Sequence, residues 1–305
     1  MSDSGYLRYV ALGDSQTEGL GDGDDVLGLR GCADRLAEVL AAQNPDVRYA
    51  NLAVRGRLAG QVRAEQLPAA LALRPDLATV VAGMNDLLRP RFDADEVAGH
   101  LEAMFAALTG QGARVATVAF PDIGRITPLA RPLGRRVLAL NSRIREAAGR
   151  HGVVVADMSA HAVLTDPRLW SPDRLHASPL GHARIAAAVA HAFALPGSDD
   201  SWTLPLPPDT SVRTARTGLR VVGTELRWVG GFLGPWLLRR MRGRSSGDGR
   251  RAKRPDLLPP VLFPAAAATS APAPSPAPAP VPDGSGPGRG PGPRPSGHVL
   301  DQPND

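Results

Sequence analysis

Four short blocks of this 305-residue chain bring together the residue types that acyl transfer needs. They are Gly13-Asp14-Ser15, the run from Asn51 to Gly56, Gly83-Met84-Asn85-Asp86, and Asp173-Arg174-Leu175-His176. A serine hydroxyl is a weak nucleophile until a base removes its proton. Histidine is the usual base, because its ordinary pKa lies near neutrality. His176 can fill that role for Ser15, and Asp173, three residues earlier, can hold the other ring nitrogen. The negative oxygen of a tetrahedral intermediate needs donors aimed at it. Candidates are the backbone N–H groups of Ser15 and Gly56 and the side-chain amide of Asn85.

Each of these residues has a plainer reading. Ser15 alone would pass for a helix cap after a tight turn. Gly56 and Asn85 would pass for ordinary turn residues. Asp14 and Asp86 read as loop-holding carboxylates that accept bonds from nearby turn backbone. Six other histidines compete with His176, and His182 is the serious rival, but it lacks a carboxylate three residues before it. Trp170 reads as a packing residue and Cys32 as a small buried hydrophobe.

Those blocks need a scaffold that delivers them to one place. Apolar runs at 7–13, 47–53, 76–83, 113–120 and 152–157 read as strands. Amphipathic patterns near 29–43, 58–73, 94–108, 133–150 and 179–193 read as the helices between and after them. Runs such as LATVVAG and GVVVAD are continuously apolar, which fits strands covered on both faces. The expectation is an α/β protein: a three-layer α/β/α sandwich around a sheet of about five parallel strands. In such sheets ligands bind beyond the carboxyl ends of the strands, where all four blocks fall.

In these blocks the sequence resembles the SGNH hydrolases, also called the GDSL esterase/lipase family. GDS at 13–15, N-x-A-x-x-G at 51–56, G-x-N-D at 83–86 and D-x-x-H at 173–176 appear in order, and the resemblance covers roughly 7–193. It implies a flavodoxin-like sheet, Ser15 as nucleophile, His176 as base and Asp173 as its orienter. It implies the Ser15 amide, the Gly56 amide and Asn85 as oxyanion donors, with no metal or organic cofactor. The expected activity is hydrolysis of a small-molecule carboxylic ester through an acyl-serine. Runners-up are a carbohydrate O-acetyl esterase, a thioesterase or a lysophospholipase of the same fold. A non-catalytic, membrane-recruited binding module is the competing class. Around Ser15 the chain reads GDSQT and departs from the G-x-S-x-G elbow of α/β-hydrolases, which disfavours that fold.

Composition divides the chain at 1–196, 197–254 and 255–305. The first part carries 21 basic and 21 acidic side chains, so nucleic acid is not an expected partner. The net charge of +5 belongs to the remainder, where Lys253 is the sole lysine of the chain. A connector leads to an apolar stripe of helical period at 212–242, flanked by arginines. It is expected either to pack on the hydrolase domain or to touch an anionic membrane surface. Half of the 30 prolines lie in 255–305, which reads as a disordered tail with an unknown partner. One cysteine precludes an intrachain disulfide, and no apolar run is long enough to span a bilayer. With no secretory signal in view, the expected location is cytoplasmic.

Overall fold

The first strand, β1 (Arg8–Gly13), is buried along all but its first residue, as its unbroken apolar run requires. The computed structural model describes residues 6–26, 28–208, 230–231 and 245–262. The strands that follow are β2 (Arg48–Asn51), β3 (Leu77–Val81), β4 (Arg114–Ala119) and β5 (Val154–Asp157). A last strand, β6 (Arg254–Leu258), comes from the C-terminal extension. The spatial order is β5-β4-β3-β1-β2-β6. The first five strands are mutually parallel, in the flavodoxin-like order 2-1-3-4-5. β6 is antiparallel to β2, with Tyr49 opposite Leu258 and Asn51 opposite Arg254.

Five long helices complete the layers: α1 (Cys32–Gln43), α2 (Ala59–Ala72), α3 (Ala94–Gly110), α4 (Gly134–Arg150) and α5 (Pro179–Ala192). α1 packs against α5, while α3 packs between α2 and α4. Local chemistry sets several of their starts. Asp93 caps α3 by accepting from the N–H groups of Asp95 and Glu96. Ser178 accepts from Gly181 N at the start of α5, where Pro179 needs no partner for a missing N–H. The core runs through both faces of the sheet, and the Tyr9 and Tyr49 rings stack at 5.1 Å between centroids.

The extra strand departs from the sequence reading. β6 takes in the first residues of the stretch assigned to the tail, and the sheet has six strands where about five were expected. The burial of β6 explains why it left no pattern: Pro255 and Asp256 are exposed and no residue is fully buried. Backbone pairing to β2 holds it, and a proline is tolerated on such an edge. The described residues up to Leu262 form one compact unit. Apart from Gly230 and Gly231, the segment 212–242 lies outside the described residues, as does 263–305. No helix among the described residues is long and apolar enough to cross a membrane.

Candidate active site

β1 delivers the first block to the carboxyl edge of the sheet. At its end Gly13 is pressed against the Thr17 hydroxyl and lies 2.5 Å, measured from an added Cβ, from Val81 O, so only glycine fits. The chain then makes a single helical turn, Ser15–Glu18, capped by Asp14, whose Oδ1 accepts from Gln16 N at 3.2 Å. Asp14 thus holds the loop, as its type suggested, and Ser15 stands at the head of the turn. Gln66 of α2 grips the strand end from outside: its Oε1 accepts from Gly13 N at 2.8 Å and its Nε2 donates to Gly13 O at 2.9 Å.

β2 ends in Asn51, which is buried and donates to Thr17 O (2.8 Å) and to the Tyr49 hydroxyl (2.9 Å). The loop beyond it is tied to the Ser15 turn by a buried ion pair. Arg55 N donates to Glu18 Oε2 at 2.6 Å, and the Arg55 guanidinium donates to Glu18 Oε1. Gly56 follows with φ +77°, a conformation that side chains rarely adopt. Among the described residues the N–H groups of Ser15 and Gly56 have no acceptor. Asn85 lies one residue into a short helix after β3 and donates from Nδ2 to Asp14 Oδ2 (3.0 Å) and Arg57 O (3.1 Å). Asp86 Oδ2 accepts from Ala59 N at 3.0 Å and fastens that turn to the start of α2.

The fourth block sits on the loop before α5. His176 Nδ1 and Asp173 Oδ2 are 2.6 Å apart. Asp173 Oδ1 accepts from the Ser171 hydroxyl and from the backbone N–H groups of Leu175 and His176. Burial alone would raise the pKa of Asp173. The hydrogen bond and charge of His176, with the Ser171 hydroxyl, outweigh it and hold the carboxyl well below the ordinary range. Asp173 is therefore ionised at neutral pH and keeps the Nδ1 proton on the ring, leaving Nε2 without one. The rival His182 is a structural residue. Its Nδ1 accepts from Cys32 N, so its proton is on Nε2, which donates to Leu20 O at 2.9 Å. Burial pushes its pKa down to about 4, and it stays neutral.

Ser15, Gly56, Asn85, Asp173 and His176 all line one cavity of about 480 Å³. Among the described residues no direct hydrogen bond joins the Ser15 hydroxyl to the imidazole. The two loops are joined instead by Gln16, which sequence reasoning passed over. Its Nε2 donates to Leu175 O at 2.9 Å and its Oε1 accepts from Ala177 N at 3.2 Å, so it grips the backbone on both sides of His176. Gln66 was missed as well. An amide at either position carries no local signal, because its partners lie 53 to 161 positions away. Asp14 shares the cavity, and burial raises its pKa to about 6 against the pull of Gln16 N–H and His176. Cys32 is buried, as expected of a small hydrophobe, and burial pushes its thiol up to about 12. Among the described residues no group of three or more His, Cys, Asp or Glu side chains is placed to hold a metal.

Solved structures that share this fold include these three. An α/β hydrolase enzyme from the metagenome of Lake Arreo, Spain, is 21% identical, with a TM-score of 0.52, over 63% of this chain and 96% of its own. A lipase/acylhydrolase from Enterococcus faecalis is 22% identical, with a TM-score of 0.51, over 61% and 94%. An acetylxylan esterase from Geobacillus stearothermophilus is 19% identical, with a TM-score of 0.54, over 67% and 99%. Nothing among curated proteins matches the chain. The model of the GDSL-like lipase/acylhydrolase family matches residues 11–184, more than half of the sequence and all four blocks, and the chain belongs to that family.

Proposed function

We propose that the protein is a serine esterase that cleaves carboxylic esters with an apolar acyl group. Ser15 Oγ attacks the carbonyl while its proton passes to His176 Nε2. Asp173 stabilises the imidazolium through Nδ1. The Ser15 and Gly56 amides receive the oxyanion, and Asn85 joins them by turning one N–H away from Asp14. His176 gives its proton to the leaving alcohol as the C–O bond breaks. Water, deprotonated by the same nitrogen, then attacks acyl-Ser15 and releases the acid.

The observation that carries this reading is the 2.6 Å Asp173–His176 pair, held by Gln16 on the cavity that Ser15 also lines. The acyl preference rests on the cavity wall, where Leu88, Phe120, Ile123, Ile126, Leu129 and Leu133 gather from the ends of β3 and β4. A hydrocarbon chain there leaves water, at about 0.8 kcal/mol per buried methylene. An acetyl group, as in the carbohydrate O-acetyl esterase reading, would leave most of that wall uncovered. A thioester or lysophospholipid would meet the same nucleophile.

The test is a series of p-nitrophenyl esters from acetyl to decanoyl, run with Ser15→Ala. kcat/KM should rise with acyl length. The alanine variant should lose at least about 10³-fold activity while its melting temperature is preserved. It should also resist a fluorophosphonate that labels the wild type. Retained turnover in the alanine variant would overturn the nucleophile, and a flat or falling length series would overturn the acyl preference. A folded wild type that neither turns over nor takes the label would favour the non-catalytic module.

A further inference from the structure

Residues 245–258 lie beyond the family match, which ends at 184, yet Ser245 and Ser246 line the same cavity as Ser15. The segment is fastened there along its length. Gly247 packs so closely on Arg55 O that a side chain would collide. Arg250 donates from both Nη atoms to Asp25, which also receives Arg55. Lys253 Nζ donates to Glu18 O (2.8 Å), Leu29 O (2.8 Å) and Asp34 Oδ2 (2.6 Å), so all three of its N–H groups are engaged. Arg254 donates from Nε to Tyr49 O, and the chain continues as β6 on β2. This strap is a built wall, attached to the nucleophile turn through Glu18 and to the oxyanion loop through Arg55.

Its position relative to Ser15 is set by strand order. Ser15 follows β1, which lies between β3 on one side and β2 on the other. The apolar wall comes from the ends of β3 and β4. Gly56 follows β2, and the strap serines lie against it, with Ser246 Oγ 3.1 Å from where a Gly56 Cβ would stand. Ser245 is engaged locally: its Oγ accepts from Gly247 N at 3.2 Å and donates to Gly56 O at 3.5 Å. Ser246 is exposed at the cavity. An ester held at Ser15 has two substituents on its carbonyl carbon. One side of the cavity suits hydrocarbon and the other presents a hydroxyl.

We propose that the strap is a specificity wall in which Ser246 hydrogen-bonds a hydroxyl-bearing alcohol half of the substrate, such as a glycerol monoester. This rests on the esterase reading above. The experiment compares kcat/KM for the glycerol monoester and the butyl ester of one medium-chain acid, using the full chain. Ser246→Ala should lower the glycerol-to-butyl ratio about fivefold, the worth of one neutral hydrogen bond to substrate. Ser246→Thr, which keeps the hydroxyl, should keep the ratio, and acyl-length preference should be unaltered in both. An unchanged ratio in the alanine variant, or a shift in acyl-length preference instead, overturns the specificity wall while leaving the esterase standing. A wild type that hydrolyses neither ester nor any p-nitrophenyl ester overturns both.

Discussion

Gln16 offers the sharpest test of how the two halves of the site are joined. It neighbours Ser15 and bonds the backbone on either side of His176, donating to Leu175 O and accepting from Ala177 N. Replacing it by leucine keeps the bulk and removes both bonds. Ala177 is fully buried, so its N–H loses its partner with no water to replace it. That orphaned donor costs about 1–3 kcal/mol, and the lost bond to Leu175 O about 1 kcal/mol more. The loop can recover part of this only by moving, and His176 moves with it. A displacement of about 1 Å at a reacting group lowers the rate by about 10²-fold. Gln16→Leu should therefore reduce kcat 30- to 100-fold (roughly, by that scaling) with KM changed less than threefold. The assay is steady-state hydrolysis of a p-nitrophenyl ester, paired with the rate of fluorophosphonate labelling, which should fall in step with kcat. A kcat within threefold of wild type in a folded Gln16→Leu variant would refute the idea that this side chain sets the distance between Ser15 and His176.

Two further perturbations follow from the charges around the site. Lys253→Met leaves the half-buried Asp34 carboxylate without its cation and two carbonyls without a donor, at a cost of roughly 2–4 kcal/mol. Thermal unfolding should show a drop of several degrees, and a melting temperature within one degree of wild type would mean that the strap is not fastened there. Asp14 is buried and its pKa is raised to about 6 in the folded state, above its ordinary value of 3.8. The native state then holds a proton that the unfolded state releases, so stability falls as pH rises from about 4 to 6 and stays lowered above that. The melting temperature of Asp14→Asn relative to wild type should therefore climb over that window and level off, by up to about 3 kcal/mol in stability. A difference that does not vary between pH 4 and 8 would contradict the burial of an ionisable carboxyl at that position.

What could be read in advance, and what could not, follows from how each residue is held. β1 to β4 are buried on both faces along nearly all their length, so their sequences are forced into apolar runs that show in any reading. The four blocks stand at strand ends, where turn geometry restricts residue type: glycine at 13 because Thr17 and Val81 leave no room, glycine at 56 because φ is positive. β6 has neither constraint. It is half exposed and held by main-chain pairing and by Lys253, and Pro255 makes it look like the tail that follows. Gln16 and Gln66 are invisible for a different reason. Their roles exist only once distant segments meet, and glutamine is equally at home on any surface.

The buried charges show why the extension belongs with the site. Glu18 and Arg55 lose most of their water on folding, with about a tenth or less of either side chain exposed, and an ion pair so placed contributes little net stability. Its effect is on geometry. Glu18 closes the Ser15 turn and Arg55 precedes Gly56, so the pair fixes the Ser15 turn against the Gly56 loop. Removing either partner would strand a charge, which makes any other arrangement of those loops costly. Arg55 also reaches Asp25, and Asp25 reaches Arg250 on the strap. Lys253 reaches Glu18 through its backbone oxygen. The same few charges therefore position the Ser15 turn, the Gly56 loop and the strap together. A change that loosens the strap should be felt first as altered geometry at Gly56, before any loss of the core beneath it.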